Sequence, residues 1–133
     1  MDARIDSYVG VPYKRGGRDI RAGVDCWGLA MAVLNDVYGI VLPSLSGSYS
    51  FEDRDTLETF VDQEKATVGA VPIPSPEPGD LVVLRYYGAA THIGVYVGDD
   101  LILHNVGGTH TARIERADSP GISRRIEGYY RVR

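Results

Sequence analysis

The sequence predicts an α+β fold in which helices pack on an antiparallel sheet. Three observations carry that expectation. Apolar residues recur at helical spacing in the first half of the chain, most clearly after Asp25. From Asp80 the period changes to two. A tight Gly98-Asp99-Asp100 turn joins two of the alternating runs, so helices come first and a meander of strands follows.

The 133 residues read as one domain, 1–133, with 44% hydrophobic and 24% charged residues, long enough to bury a core without disulfides or metal. A net charge of −4 with no basic run argues against nucleic acid as a partner. No apolar run approaches the roughly 18 residues of a membrane span. The lone cysteine, Cys26, excludes an internal disulfide framework and a multi-cysteine zinc site. Met1-Asp2-Ala3-Arg4-Ile5-Asp6 lacks the basic and apolar regions of a signal peptide. The expectation is therefore synthesis in a reducing cytosol, where a free thiol survives.

In chain order, residues 2–9 are expected as a short helix capped by Asp2, with Ile5, Tyr8 and Val9 on one face. Gly10-Val11-Pro12-Tyr13 stops it. Residues 14–23, rich in glycine and charge, read as a surface loop. Asp25 then caps a helix running to about Tyr38, with Cys26, Leu29, Ala30, Val33, Leu34 and Val37 on its apolar face and Gly39 as its stop. A connection over 40–50 leads to a second, peripheral helix starting at Ser50 or Asp53 and ending near Lys65. The proline-rich 71–79 stretch excludes helix and central strand and reads as an extended connector. Strands are expected over 81–86, 92–97, 101–105, 109–115 and 128–132.

Chemistry converges on Cys26, His92 and His104. A thiol attacks as thiolate, and a helix start lowers its pKa through unpaired N–H groups and the helix dipole. The same N–H groups can hold an oxyanion. A three-residue turn at 98–100 sets Val97 opposite Leu101 and Gly94 opposite His104, with His92 one diagonal step away on the same face. One histidine can then act as base and the other can orient it. Gly94 and Gly98 are expected to leave room for the helix end.

Tyr13, Asp25-Cys26-Trp27-Gly28-Leu29, Pro78-Gly79-Asp80-Leu81-Val82, His92-Ile93-Gly94-Val95-Tyr96-Val97-Gly98 and His104, in that order, resemble the NlpC-type cell-wall cysteine peptidases. The resemblance implies a reduced papain-like fold, Cys26 as nucleophile, His92 as base and His104 as the third, orienting residue. It implies that Tyr13 assists the oxyanion. Tyr13, Trp27 and Asp25 make up the expected oxyanion and substrate-binding set, and no cofactor or metal is expected. The substrate it implies is peptidoglycan stem peptides, cut at γ-D-glutamyl–diaminopimelate bonds. Cys26-Trp27-Gly28-Leu29 followed by Tyr38-Gly39-Ile40-Val41-Leu42-Pro43 is similar to phage tail-tip peptidases, which implies location in the virion and tail-tip proteins as partners.

Other readings stand beside these. Cysteine is among the most buried residue types, so Cys26 taken alone reads as inert core. His92 can be a satisfied sheet histidine, His104 a strand-end residue and His110 a solvated loop residue. Tyr13 can pack after Pro12. Asp25 suits an N-cap better than a catalytic acid, and Trp27 is either a substrate platform or core. A Cys/His/His zinc site is a specific rival. A structural tail-tip protein with a silent site, with Phe51 and Leu45 as its interface residues, and a toxin delivered by a secretion system are the alternative functions.

Overall fold

The computed structural model describes residues 2–43, 69–86, 89–107 and 111–132. The second helix expected from Ser50 or Asp53 to Lys65, together with Leu45, Phe51 and His110, lies outside the described residues.

The chain opens with a 3₁₀ helix, Ala3–Tyr8, capped by Asp2, whose carboxylate accepts the Arg4 N–H at 2.8 Å. Ile5 and Tyr8 are buried, but Val9 is exposed, against expectation. At three residues per turn, positions five and eight align and position nine falls off their face. Two short antiparallel strands follow, β1 (Arg18–Asp19) and β2 (Gly23–Val24), within what the sequence suggested was only a surface loop. Helix α1, Cys26–Tyr38, ends as expected at Gly39, which takes the left-handed conformation (φ 69°).

Among the described residues six strands form one antiparallel sheet in the order β3-β8-β4-β5-β6-β7: Val71–Ile73 (β3), Leu81–Tyr86 (β4), Ala89–Gly98 (β5), Leu101–His104 (β6), Arg113–Arg116 (β7) and Ile126–Arg131 (β8). A short helix α2, Pro120–Ser123, precedes β8. The proline-rich connector thus supplies β3, which among the described residues pairs only with β8 and is an edge strand, where Pro72 costs the sheet little.

The sheet is buried on both faces. Against one, Trp27, Ala30, Val33 and Leu34 of α1 pack with Ile5, Val83, Ile93, Val95 and Leu103. Burying each of the larger side chains contributes about 1.5–3 kcal/mol. Against the other, Val82, Leu84 and Ile102 pack with Ala117 and Ile122. Asp80, buried at the start of β4, accepts two bonds from Arg131 (3.0 and 2.9 Å) and one from the Glu77 N–H (2.7 Å), tying the two ends of the sheet segment together.

The β5–β6 hairpin corrects one detail. Gly98, not Val97, pairs with Leu101, so the turn has two central residues, Asp99 and Asp100. Both have positive φ (53° and 61°), the signature of a type I′ turn. A register shift between Tyr96 and Gly98 compensates, so that Tyr96 still pairs with Ile102 and Val95 with Leu103. The expected alignment of Gly94 with His104 therefore survives a misjudged turn.

Candidate active site

Cys26 is the first residue of α1. Its place is fixed by Asp25, which is fully buried and accepts at Oδ1 from the Gly28 N–H (2.7 Å) and from Arg18 Nη1 (2.8 Å). The Leu29 N–H reaches the Asp25 carbonyl at 2.9 Å. Gly28 permits this arrangement, because a β-carbon there would run into the Gly17 carbonyl. The segment just before β1 is thus seated on the helix start. Asp25 and Arg18 are structural here, and with its carboxylate turned inward Asp25 offers nothing to a substrate. That corrects its assignment to the substrate-binding set.

Trp27 is corrected in the same way. Its ring is 1% exposed and its Nε1–H donates to the Pro43 carbonyl at 2.8 Å, so it is core that anchors the segment after α1. Tyr13 is placed by backbone bridges: it pairs in parallel with Val24, while Pro12 bridges Thr111. Its ring lies across Gly107, where a β-carbon would stand 3.3 Å from two ring atoms. Burial raises the phenol's pKa well above its usual value, and the charges of Cys26 and Asp25 raise it further, which puts the hydroxyl in the electrostatic neighbourhood of the thiol. Asn105, fully buried, donates to the Val24 carbonyl at 3.0 Å and ties the strand end to this segment.

The thiol departs from the expectation of a depressed pKa. Cys26 is half-buried. Burial pushes its pKa up to about 12, and the Asp25 charge adds to this. Bonds from the Ile93 and Trp27 N–H groups and the Arg18 charge act in the opposite direction without cancelling it. Desolvation of a charged sulphur outweighs one helix start. The resting group is therefore a neutral thiol held against the backbone of β5.

His92 is the residue before Ile93 on that strand. Its Nε2 meets His104 Nδ1 at 2.9 Å, and His104 Nε2 meets Glu115 Oε2 at 2.6 Å. Arg113 Nε stands 3.3 Å from the same carboxylate oxygen. Tyr86 presents an edge-on ring to His92, with centroids 5.2 Å apart. Burial lowers the pKa of both histidines. For His92 the positive charges of His104 and Arg113 act in the same sense, and for His104 the Glu115 carboxylate only partly offsets it. Burial raises the Glu115 pKa, but His104 and Arg113 more than offset this and hold it below the usual carboxylate value.

The structure thus brings His92 and His104 together as expected and places Cys26 at the neighbouring residue of β5, with its sulphur on backbone N–H groups. Just before His92 the β4–β5 pairing skips a residue, from Arg85↔Ala90 to Leu84↔His92. Such a bulge re-aims neighbouring side chains. Gly94 makes room for cross-strand neighbours and not for the helix end: a β-carbon there would meet Ile102 Cγ2 at 2.9 Å and His104 Cβ at 3.1 Å. Gly98 faces Pro78. The zinc alternative is disfavoured by the direct His92–His104 bond, which uses one nitrogen of each ring. Among the described residues no cluster of three His, Cys, Asp or Glu side chains is placed to hold a metal, and no helix is long and apolar enough to cross a membrane.

The model of the NlpC/P60 family matches residues 10–131. This chain belongs to the NlpC/P60 family. It is 32% identical over 113 residues to a probable endopeptidase of Mycobacterium tuberculosis, covering 85% of this chain and 24% of that protein. It is 34% identical over 100 residues to the murein DD-endopeptidase MepH of Escherichia coli, covering 72% of this chain and 31% of that one. The chain therefore spans a quarter to a third of the length of these relatives. An NlpC/P60 family protein from Bacillus cereus shares the fold, with a TM-score of 0.67 at 21% identity over 96% of this chain and 37% of that one. The α+β arrangement of a helix on an antiparallel sheet is thus the NlpC/P60, reduced papain-like fold.

Glu115, Arg18 and Asn105 were not singled out from the sequence. The signal for Glu115 was weak but present, since it lies at the end of an expected strand. What was missing was the β6–β7 register, which sets Ile102 opposite Glu115 and His104 opposite Arg113.

Proposed function

We propose that this NlpC/P60 domain is a cysteine endopeptidase that hydrolyses amide bonds in peptidoglycan stem peptides. The observation that carries the reading is the His92–His104–Glu115 chain, with both histidines buried, which ends one residue along β5 from the backbone N–H that holds the helix-start thiol. Two relatives named endopeptidase, one of them a murein DD-endopeptidase, support the substrate class.

In this mechanism Cys26 Sγ attacks the amide carbonyl carbon and its proton passes to His92. Because burial disfavours a standing thiolate, the proton leaves as the S–C bond forms. The oxyanion is met by the N–H groups of Cys26 and Trp27 in the first turn of α1 and by the Tyr13 hydroxyl. His92 returns the proton to the departing amine as the C–N bond breaks. Water, deprotonated by His92, then hydrolyses the thioester and frees Cys26.

The bond we assign is the γ-D-glutamyl–diaminopimelate amide. The name of MepH favours a second candidate, the cross-link between two D-centres. Mass spectrometry of purified peptidoglycan after incubation with wild type and Cys26→Ala distinguishes them. New stem-peptide fragments from wild type alone, with masses that name the bond, are the expected result. Equal fragments from Cys26→Ala would remove Cys26 from the mechanism.

The carrier we propose is the tail tip of a long-tailed phage, with tail-tip proteins as partners. The Cys26-Trp27-Gly28-Leu29 and Tyr38-Gly39-Ile40-Val41-Leu42-Pro43 stretches support that reading. The protein is expected in purified virions by mass spectrometry. Its detection only in material exported by a bacterial secretion system would favour the toxin alternative.

A further inference from the structure

We propose that Glu115 is a positioning residue that sets the proton arrangement of both active-site histidines. The proposal rests on the peptidase reading above only for its effect on rate. The geometry is a single chain of side-chain bonds: Glu115 Oε2 to His104 Nε2 at 2.6 Å, then His104 Nδ1 to His92 Nε2 at 2.9 Å.

A carboxylate only accepts, so the proton of the first bond sits on His104 Nε2. A neutral imidazole carries one proton, so His104 Nδ1 holds a lone pair and accepts. His92 must then donate from Nε2, which leaves its own lone pair on Nδ1. That nitrogen is the one His104 does not engage, and it is the only atom of the ring able to take the Cys26 proton. Removal of the carboxylate removes the asymmetry, because two neutral imidazoles facing each other can donate in either direction. When donation reverses, His92 carries its proton on Nδ1 and cannot act as base toward the thiol. During attack one proton moves from Sγ to His92 Nδ1 and later to the leaving nitrogen, while the Nε2 protons of both histidines stay in place.

The surroundings suit this role. His104 is fully buried and held by strand pairing, so its ring cannot turn to find another acceptor easily. Tyr86 packs edge-on against the His92 ring. Arg113, two residues away on β7, stands 3.3 Å from the same Glu115 carboxylate oxygen. Glu115 itself retains 31% side-chain exposure, so its replacement leaves no large buried void.

The test is a two-bond proton–nitrogen correlation spectrum of protein carrying heavy-nitrogen histidine, at neutral pH. In wild type, His92 and His104 are expected with protonated Nε2 and bare Nδ1. A protonated Nδ1 on either histidine in wild type overturns the proposal without any variant. In Glu115→Ala that signature is expected to become mixed for both histidines, and kcat on stem peptides to fall roughly 100-fold with KM unchanged. An unchanged histidine spectrum in Glu115→Ala overturns the proposal. The predicted tautomers in a wild-type protein that cuts no stem peptide would leave the relay standing and remove the substrate assignment instead.

Discussion

The candidate active site is built from two regions that achieve rigidity by opposite means. At the start of α1 the thiol is positioned mainly through the backbone. Asp25 caps the helix, Arg18 neutralises the cap, and Gly28 lets the preceding loop sit on the first turn, all within residues 17–28. On the sheet, His92, His104 and Glu115 are positioned by their own side chains, across three strands. The first region is a fold element that carries the proposed nucleophile. The second is the proposed proton path, whose members bond chiefly to one another. Loss of a contact should therefore damage stability in one region and chemistry in the other.

The sharpest test of that contrast is His92→Gln, which removes the base and keeps a polar group in its place. The expected fall in kcat/KM on stem peptides is about 10⁴-fold, with a single cooperative unfolding transition retained. A loss of fold in this variant would erase the distinction between the regions. Asp25→Ala is the converse. It removes an N-cap worth about 1 kcal/mol and one partner of an ion pair whose carboxylate is fully buried. Breaking such a pair costs about 3–5 kcal/mol, a large share of the 5–15 kcal/mol that holds a domain together. Urea denaturation should show a lower midpoint at similar slope. An Asp25→Ala protein of wild-type stability would mean that the helix start is held by packing alone.

Acid separates the regions further. Both histidines have folded-state pKa values below the ordinary 6.5. The folded chain therefore binds fewer protons than the unfolded one between those values and 6.5, and stability rises with pH across that window. The contribution is complete above 6.5 and is lost as pH falls through the folded values. Glu115, also held low, adds a second loss below its ordinary 4.5. The expected outcome is a urea midpoint that declines as pH falls below about 6.5, and His92→Gln should flatten part of that decline. An identical slope in the variant would locate the acid sensitivity elsewhere in the chain.

How much of this was legible follows the same division. The helix start could be read directly, because capping, helical spacing and the glycine stop are local signals: Asp25, Cys26 and Gly39 sit where expected. The partnership of His92 and His104 was legible because their strands are joined by a tight hairpin. Glu115 was not, because the Gly107-Gly108 turn signal between β6 and β7 lies in a connection whose length does not by itself set a register. The thiol's raised pKa was missed for another reason. Sequence shows the helix dipole that lowers it but not the three-dimensional packing that raises it. Trp27 and Asp25 were drawn toward function by their position beside the nucleophile, and burial is what removes them.

The smallest effect probes the device that aligns the relay. Asp99 and Asp100 both hold positive φ in the type I′ turn, a conformation that costs an L-residue energy and that aspartate tolerates better than most. Asp100→Gly relieves that cost at the second position while giving the unfolded chain more freedom, so the net gain should stay below about 1 kcal/mol. The bonds made by the Asp100 backbone, its N–H to the Tyr96 hydroxyl at 3.0 Å and its carbonyl to the Ala117 N–H at 2.8 Å, remain available. The expected result is a slightly higher urea midpoint with kcat/KM unchanged, since β5 and β6 keep their register and His92 keeps its bond to His104. A drop in kcat/KM at undiminished stability would show that the hairpin sets the relay through more than strand register, and the separation between a region that holds the fold and one that carries the proton would fail at this turn.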